Sequence, residues 1–261
     1  MGFLTDIVTR IRRNLAELPL DEEALKVAAS RRARALPFDI AIRSGRPAVI
    51  AEVKRASPSA GAIAAAADPV AQAAAYEAGG AAAVSVLTEA THFGGSIEDL
   101  RLVREQVAIP VMRKDFVVHR SQVLEARAAG ADTVLLITSC LADGELADLL
   151  AEARSLGMEP LVETHDEHDL ARALATDARV IGVNARDLES LEVDLPAALE
   201  RLRRVPADRV TVLESGVATR EHALAAVRAG ASAILVGEAL MRAPDPTELV
   251  RRLRGHEEAA R

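Results

Sequence analysis

From residue 48 onward the chain alternates between two kinds of stretch. Short runs rich in β-branched and apolar residues occupy 48–54, 82–88, 111–116, 133–139, 159–164, 180–186, 210–215 and 233–238. Longer amphipathic stretches of Ala, Leu, Arg and Glu separate them and predict helices over 69–78, 96–107, 120–129, 143–156, 166–177, 195–204, 219–229 and 245–254. The short runs are apolar throughout rather than alternating, which suits a parallel sheet buried on both faces.

The boundaries agree with this division. Gly79-Gly80, Gly130, Gly157 and Gly230 stand where helices must end, and Asp68-Pro69, Ser96, Asp143, Asp166 and Thr219 stand where they must begin. Eight strand–helix units match the size and count of a (β/α)8 TIM barrel. A doubly wound dinucleotide-binding sheet lacks its G-x-G-x-x-G after an early strand. Before the first strand, residues 3–35 form a helical extension whose Phe3, Ile7, Ile11 and Leu15 share one face, so it should pack on the barrel or cover one end. The expected organisation is one barrel domain, 1–261, containing that extension; the alanine run 64–67 reads as loop or helix start.

Composition narrows the setting. The 261 residues carry a net charge of −7, which disfavours non-specific nucleic-acid binding. No apolar run approaches the roughly 20 residues of a membrane span, and the N-terminus has no secretory core. Cys140 is the single cysteine, which excludes an internal disulfide and points to a reducing, cytoplasmic setting. Of 32 basic residues only Lys26, Lys54 and Lys114 are lysine. Codon bias in a GC-rich genome accounts for such an excess of arginine, but not for where the surviving lysines sit.

In a parallel barrel the active site lies at the C-terminal ends of the strands. Read in order, those ends carry Glu52 and Lys54, Lys114 and Phe116, Glu163, Asn184 and Arg186, Glu214 and Ser215, and Gly237. Each could be a salt-bridged rim residue. As a set they resist that reading, because the opposite strand ends look nearly free of charge. Lysine can release a proton where arginine cannot, so Lys54 and Lys114 are candidate general acids. A glutamate beside them can serve as the conjugate base. Ser215-Gly216 and Gly237-Glu238 follow late strands, where backbone N–H groups commonly hold phosphate. Phe93 and Phe116 could wall an aromatic ring. The six histidines, His92, His119, His165, His168, His222 and His256, form no evident ligand set, so no metal is expected. Cys140 reads as a small apolar residue.

The strings AEVKRASPSAG (51–61), VLTEATHFGGS (86–96), RKDFVV (113–118), PLVETH (160–165), IGVNARDL (181–188), LESGV (213–217) and GEALMR (237–242) resemble the indole-3-glycerol phosphate synthase family of tryptophan biosynthesis over nearly the whole chain. The resemblance implies ring closure, decarboxylation and dehydration of 1-(2-carboxyphenylamino)-1-deoxyribulose 5-phosphate without a cofactor. It implies Lys114 as general acid in ring closure and Glu163 as the acid–base residue of dehydration. Lys54 would contact phosphate or carboxylate and share proton transfer. Glu52 and Asn184 would position hydroxyls and the lysines, and Glu214 and Ser215 would complete the polar floor. Ser57 and Arg186 would hold the carboxylate. Gly216, Gly237 and the backbone at Glu238 would hold the phosphate, and Phe93, Phe116 and Leu135 would pack on the ring.

Two departures from the family pattern stand out. Glu238 replaces a small hydroxyl residue found in some members, so its carboxylate must point away from the phosphate. His92 replaces a frequent tyrosine. The competing readings are a phosphoribosylanthranilate isomerase, disfavoured by Glu52 and Lys54 on the first strand, and a non-catalytic phosphometabolite-binding barrel, which has no need of proton donors. The expected partner is a small phosphorylated substrate, not nucleic acid or membrane, with the chain a monomer or weak homo-oligomer.

Overall fold

In a computed structural model, which describes residues 2–43 and 47–255, the eight strands form a closed parallel barrel with each strand beside its neighbour in sequence. The strands are β1 (Ala48–Val53), β2 (Ala83–Leu87), β3 (Val111–Lys114), β4 (Thr133–Ile137), β5 (Leu161–Thr164), β6 (Val180–Asn184), β7 (Val210–Glu214) and β8 (Ala233–Val236), and β1 closes the ring against β8. All but Lys114 of their residues are buried. This is the physical basis of their unbroken apolar texture: one side faces the barrel interior and the other the helical shell.

Helices α1 (Phe3–Glu17) and α2 (Glu22–Ser30) precede the barrel. The shell then follows as α3 (Pro69–Ala78), α4 (Ile97–Gln106), α5 (Arg120–Ala129), α6 (Asp143–Ser155), α7 (Glu167–Leu174), α8 (Leu195–Leu202), α9 (Arg220–Arg228) and α10 (Pro246–Arg254). Asp68, Ser96, Asp166 and Thr219 cap α3, α4, α7 and α9 by accepting a first-turn N–H. Asp143 does not act as expected. It lies inside α6, where Glu145 accepts the Ala142 N–H at 2.9 Å and Asp143 instead holds Arg172 at 2.7 Å.

The N-terminal extension does more than cover one end. Its first helix lies at the mouth, where Arg10 pairs with Glu89 at 2.7 Å and Arg12 with Glu145 at 2.8 Å. Ile7 of the predicted face is buried, while Phe3, Ile11 and Leu15 pack half-buried on the core. Helix α2 runs along α5, with Arg32 Nε donating to the Ala128 carbonyl at 2.8 Å just beyond it. Phe38 and Ile42 then bury completely beside the strands' N-terminal ends. A short hairpin, Ala56–Ser57 with Gly61–Ala62, was not foreseen, and the alanine run 64–67 is loop.

The base of the barrel is also less neutral than the sequence suggests. Asp132 accepts the Val111 N–H at 2.9 Å and pairs with Arg104, and Glu159 pairs with Arg154 at 2.7 Å. These residues sit just outside the strands. They tie loops to helices and leave the barrel interior apolar there.

Candidate active site

Strand register decides which polar groups meet. Glu163 lies level with Ile137 and Gly182, and Asn184 lies level with Glu214. The alternate strands β1, β3, β5 and β7 contribute Glu52, Lys114, Glu163 and Glu214. Filling a layer from alternate strands is how such barrels pack; here the uppermost layer is charged instead of aliphatic.

The charges are paired closely. Lys114 Nζ donates to Glu163 Oε2 at 3.1 Å and lies 3.8 Å from Glu214 Oε2. Lys54 Nζ lies 2.9 Å from Glu52 Oε1. Asn184 Nδ2 donates to Glu163 Oε1 at 3.2 Å. Asp115, next to Lys114 in sequence, plays no part in this cluster. Successive strand residues face opposite sides, and Asp115 pairs instead with Arg113 at 3.0 Å and accepts from Thr88 at 2.5 Å.

Three carboxylates face two ammonium groups, so one carboxylate is in excess. Glu214 is that group: both its oxygens are buried without a hydrogen bond. Burial first, then the neighbouring Glu163 charge, hold its carboxyl well above the usual range. Burial alone would also raise Glu163, but Lys114 and His165 outweigh it and keep this carboxyl well below the usual range. For Lys114 burial favours the neutral amine, and Glu163, Glu214 and Glu52 reverse that and raise its pKa. The resting site thus holds a proton donor, Lys114, against a proton acceptor, Glu163. Carboxyl groups pushed apart in this way mark separate acid and base roles.

Two glycines make the arrangement possible. A Cβ at Gly182 would lie 2.2 Å from Glu214 Oε1, and one at Gly237 would lie 2.3 Å from Glu52 Oε1 and 3.2 Å from Lys54 Nζ. Side chains there would displace the charged layer. Ser215 adopts φ 65°, an uncommon left-handed backbone for a residue with a Cβ. That turn carries the chain off β7 into the mouth.

Above the charged layer lies a cavity of about 470 Å³. Every residue expected from the sequence lines it: Glu52, Lys54, Ser57, Phe93, Lys114, Phe116, Leu135, Glu163, Asn184, Arg186, Glu214, Ser215, Gly216, Gly237 and Glu238. The Phe93 and Phe116 rings are 6.2 Å apart and form one apolar wall. Arg186 is anchored by donating from one guanidinium nitrogen to the Leu191 carbonyl at 2.7 Å. Glu238 pairs with Arg242 at 3.0 Å, which answers the concern about its charge. His92 stacks edge-on against Phe3 with centroids 5.2 Å apart, joining its loop to α1.

Several contributors escaped the sequence reading. Phe3 of α1, expected only to pack on the barrel, and Arg242 also line the cavity, and neither lies at a strand end. His165 was set aside, yet its Nε2 is 3.0 Å from Glu163 Oε1. Its spacing of two from Glu163 at a strand end was the available clue. Asp166, His168 and Asp169 bring one ligand atom each within 4.8 Å, but they lie at α7, outside the cavity. His256 lies outside the described residues.

Comparison with known proteins covers nearly the whole chain. The family model described as Indole-3-glycerol phosphate synthase matches residues 4–253. The chain is 48% identical over 254 residues to indole-3-glycerol phosphate synthase 1 of Streptomyces coelicolor, covering 96% of this chain and 94% of that protein. It is 49% identical over 265 residues to the indole-3-glycerol phosphate synthase of a Nocardioides species, covering 98% and 100%. Among solved structures, a 3-hexulose-6-phosphate synthase aligns with a TM-score of 0.62 at 19% identity, over 80% of this chain and 99% of that one. At that identity the likeness speaks for the barrel fold alone.

Proposed function

The chain belongs to the indole-3-glycerol phosphate synthase family, and from that premise we propose how its barrel mouth performs the reaction. The enzyme is a carboxy-lyase of tryptophan biosynthesis. It converts 1-(2-carboxyphenylamino)-1-deoxyribulose 5-phosphate to indole-3-glycerol phosphate, carbon dioxide and water. The atoms balance without an oxidant or reductant, so the reaction calls for no redox cofactor.

The observation that carries the assignment of roles is the Lys114 ammonium held between Glu163 and Glu214 beneath an apolar cavity. In our reading the aromatic ring lies against Phe93, Phe116 and Leu135. Arg186 and Ser57 hold the ring carboxylate. The phosphate lies at Gly216, Gly237 and the Glu238 backbone, with Lys54 beside Gly237 and the Glu238 carboxylate drawn off by Arg242. The ring carbon bearing the carboxylate attacks the ketone carbon, and Lys114 protonates the ketone oxygen as it becomes a hydroxyl. Loss of carbon dioxide returns the bonding electrons to the ring. Glu163 then serves dehydration as its acid–base residue. Asn184 and Glu52 keep Glu163 and Lys54 in place. Glu214 and Ser215 complete the polar floor.

We place the enzyme in the cytoplasm as one barrel domain including its N-terminal extension, a monomer or weak homo-oligomer that binds neither nucleic acid nor membrane. The net negative charge, the single buried cysteine and the lack of any described helix long and apolar enough to cross a membrane support this. Its exposed large apolar residues include Leu18, Val27 and Ile40. Purified protein incubated with the carboxyphenylamino substrate alone should develop indole fluorescence. A well-folded sample that gives no signal would refute the activity; light scattering reports the oligomeric state.

A further inference from the structure

We propose that His165 is a positioning residue for Glu163, bridging it to Asp169 in the first turn of α7. This rests on the acid–base role given to Glu163 above. His165 follows β5 two residues after Glu163, so both side chains leave the strand on the same side. Its ring is 9% exposed and does not line the cavity, which rules out direct contact with substrate.

The ring lies between two carboxylates. Nε2 is 3.0 Å from Glu163 Oε1, and Nδ1 is 3.5 Å from Asp169 Oδ2, ion-pair distances off the line of a straight hydrogen bond. The same Asp169 oxygen accepts the His165 backbone N–H at 3.3 Å. Asp169 Oδ1 in turn lies 3.8 Å from Arg172, which donates to the Thr138 carbonyl at 3.0 Å. Glu163 is therefore tied through His165 to the shell helix and to the end of β4. Asp187 beyond β6 also senses this ring, whereas Lys114 and the buried Cys140 thiol are coupled to Glu163 rather than to the ring. Burial disfavours the imidazolium, but the two carboxylates outweigh it and raise the pKa to about 9.

A second cation on Glu163 has a mechanistic use. When Lys114 gives its proton to the ketone it becomes neutral, and Glu163 loses one of its two counter-charges. The imidazolium remains, so Glu163 stays ionised and fixed for dehydration. Glu163 Oε2 faces Lys114, whereas Oε1 is shared by His165 and Asn184. Position and charge state are thus held from the side away from substrate.

The test uses the full chain carrying His165→Phe and His165→Gln. We expect His165→Phe to lower kcat about tenfold to a hundredfold, the scale of a small misplacement of a catalytic group, with KM near native. His165→Gln, polar but uncharged, should recover part of that loss. In both variants the acid limb of kcat should move to higher pH, because Glu163 has lost a cation. Native kcat and an unmoved acid limb in both would overturn the proposal. So would equal losses in both with no shift of the limb, which is what mere packing damage produces. NMR titration of the His165 ring gives a readout independent of turnover and of these variants' folding. Its midpoint should lie near 9 in the native protein and fall toward the ordinary imidazole value of 6.5 in Glu163→Gln. An unchanged midpoint would also overturn it. Full activity of Glu163→Gln would refute the catalytic reading of Glu163, and the titration would still report whether His165 is coupled to it.

Discussion

Replacing Lys114 by alanine tests the charged layer and the general acid together. The ammonium lies 3.1 Å from Glu163 and 3.8 Å from Glu214, and each carboxylate side chain is 1% exposed. Removing it leaves two buried carboxyl groups, one of them with only His165 as counter-charge. Breaking a buried pair costs about 3–5 kcal/mol, or roughly 6–20 °C in Tm for a chain this long. Loss of a general acid lowers turnover by a further factor of about 10²–10⁴. The two effects separate by pH. In the native protein the Glu163 pKa is lowered, so its contribution to stability is present above the ordinary carboxyl range and lost as pH falls through the lowered value. Without Lys114 that pKa rises. His165 keeps Glu163 ionised in the variant too, but with a smaller lowering, so less of that contribution remains above the carboxyl range. Its Tm deficit should be largest at neutral pH and shrink toward pH 5, while turnover stays low throughout. Adding Glu163→Gln should restore much of the Tm at neutral pH and none of the activity. Melting by circular dichroism and the rate of indole fluorescence provide the data. Turnover of Lys114→Ala within tenfold of native would refute the general acid, and a Tm deficit independent of pH would refute the buried-charge argument.

Arg186→Ala and Ser57→Ala should raise KM with a smaller change in kcat; unchanged KM in both would place the carboxylate elsewhere. Gly237→Ala puts a Cβ 2.3 Å from Glu52 Oε1, so it should disturb the Glu52–Lys54 pair and lower kcat/KM with the barrel's circular dichroism unchanged. A fully active variant would show that this pair can shift without consequence. Phe93→Ala removes one half of the apolar wall and should raise KM by about tenfold, as for the loss of 1–2 kcal/mol of ring contact. Native KM would mean that the ring lies away from Phe93 and Phe116.

The barrel was legible because each strand is buried on both faces and each helix on one, which imposes two distinct patterns on the chain. Strands ended one or two residues early at Lys114, Asn184 and Glu214. There the pattern still reads as strand, but the chain has already turned over the rim and left the ladder. The expected site residues were found together because a parallel barrel gathers every strand's C-terminal end at one mouth. His165 escaped notice because its importance depends on a carboxylate of α7 folding back beside it.

The composition of the site was therefore already present in the chain: Lys54 and Lys114, two of only three lysines among 32 basic residues, both at strand ends. Their partners were not. Which carboxylate pairs with which ammonium follows from strand register and from the space left by Gly182 and Gly237, and these exist only once the barrel closes. Protonation follows from the same closure. Local sequence makes Glu163 and Glu214 alike, each at or beside the end of an apolar strand. Burial beside one lysine, with a histidine next to Glu163 alone, holds one carboxyl below the usual range and the other above it.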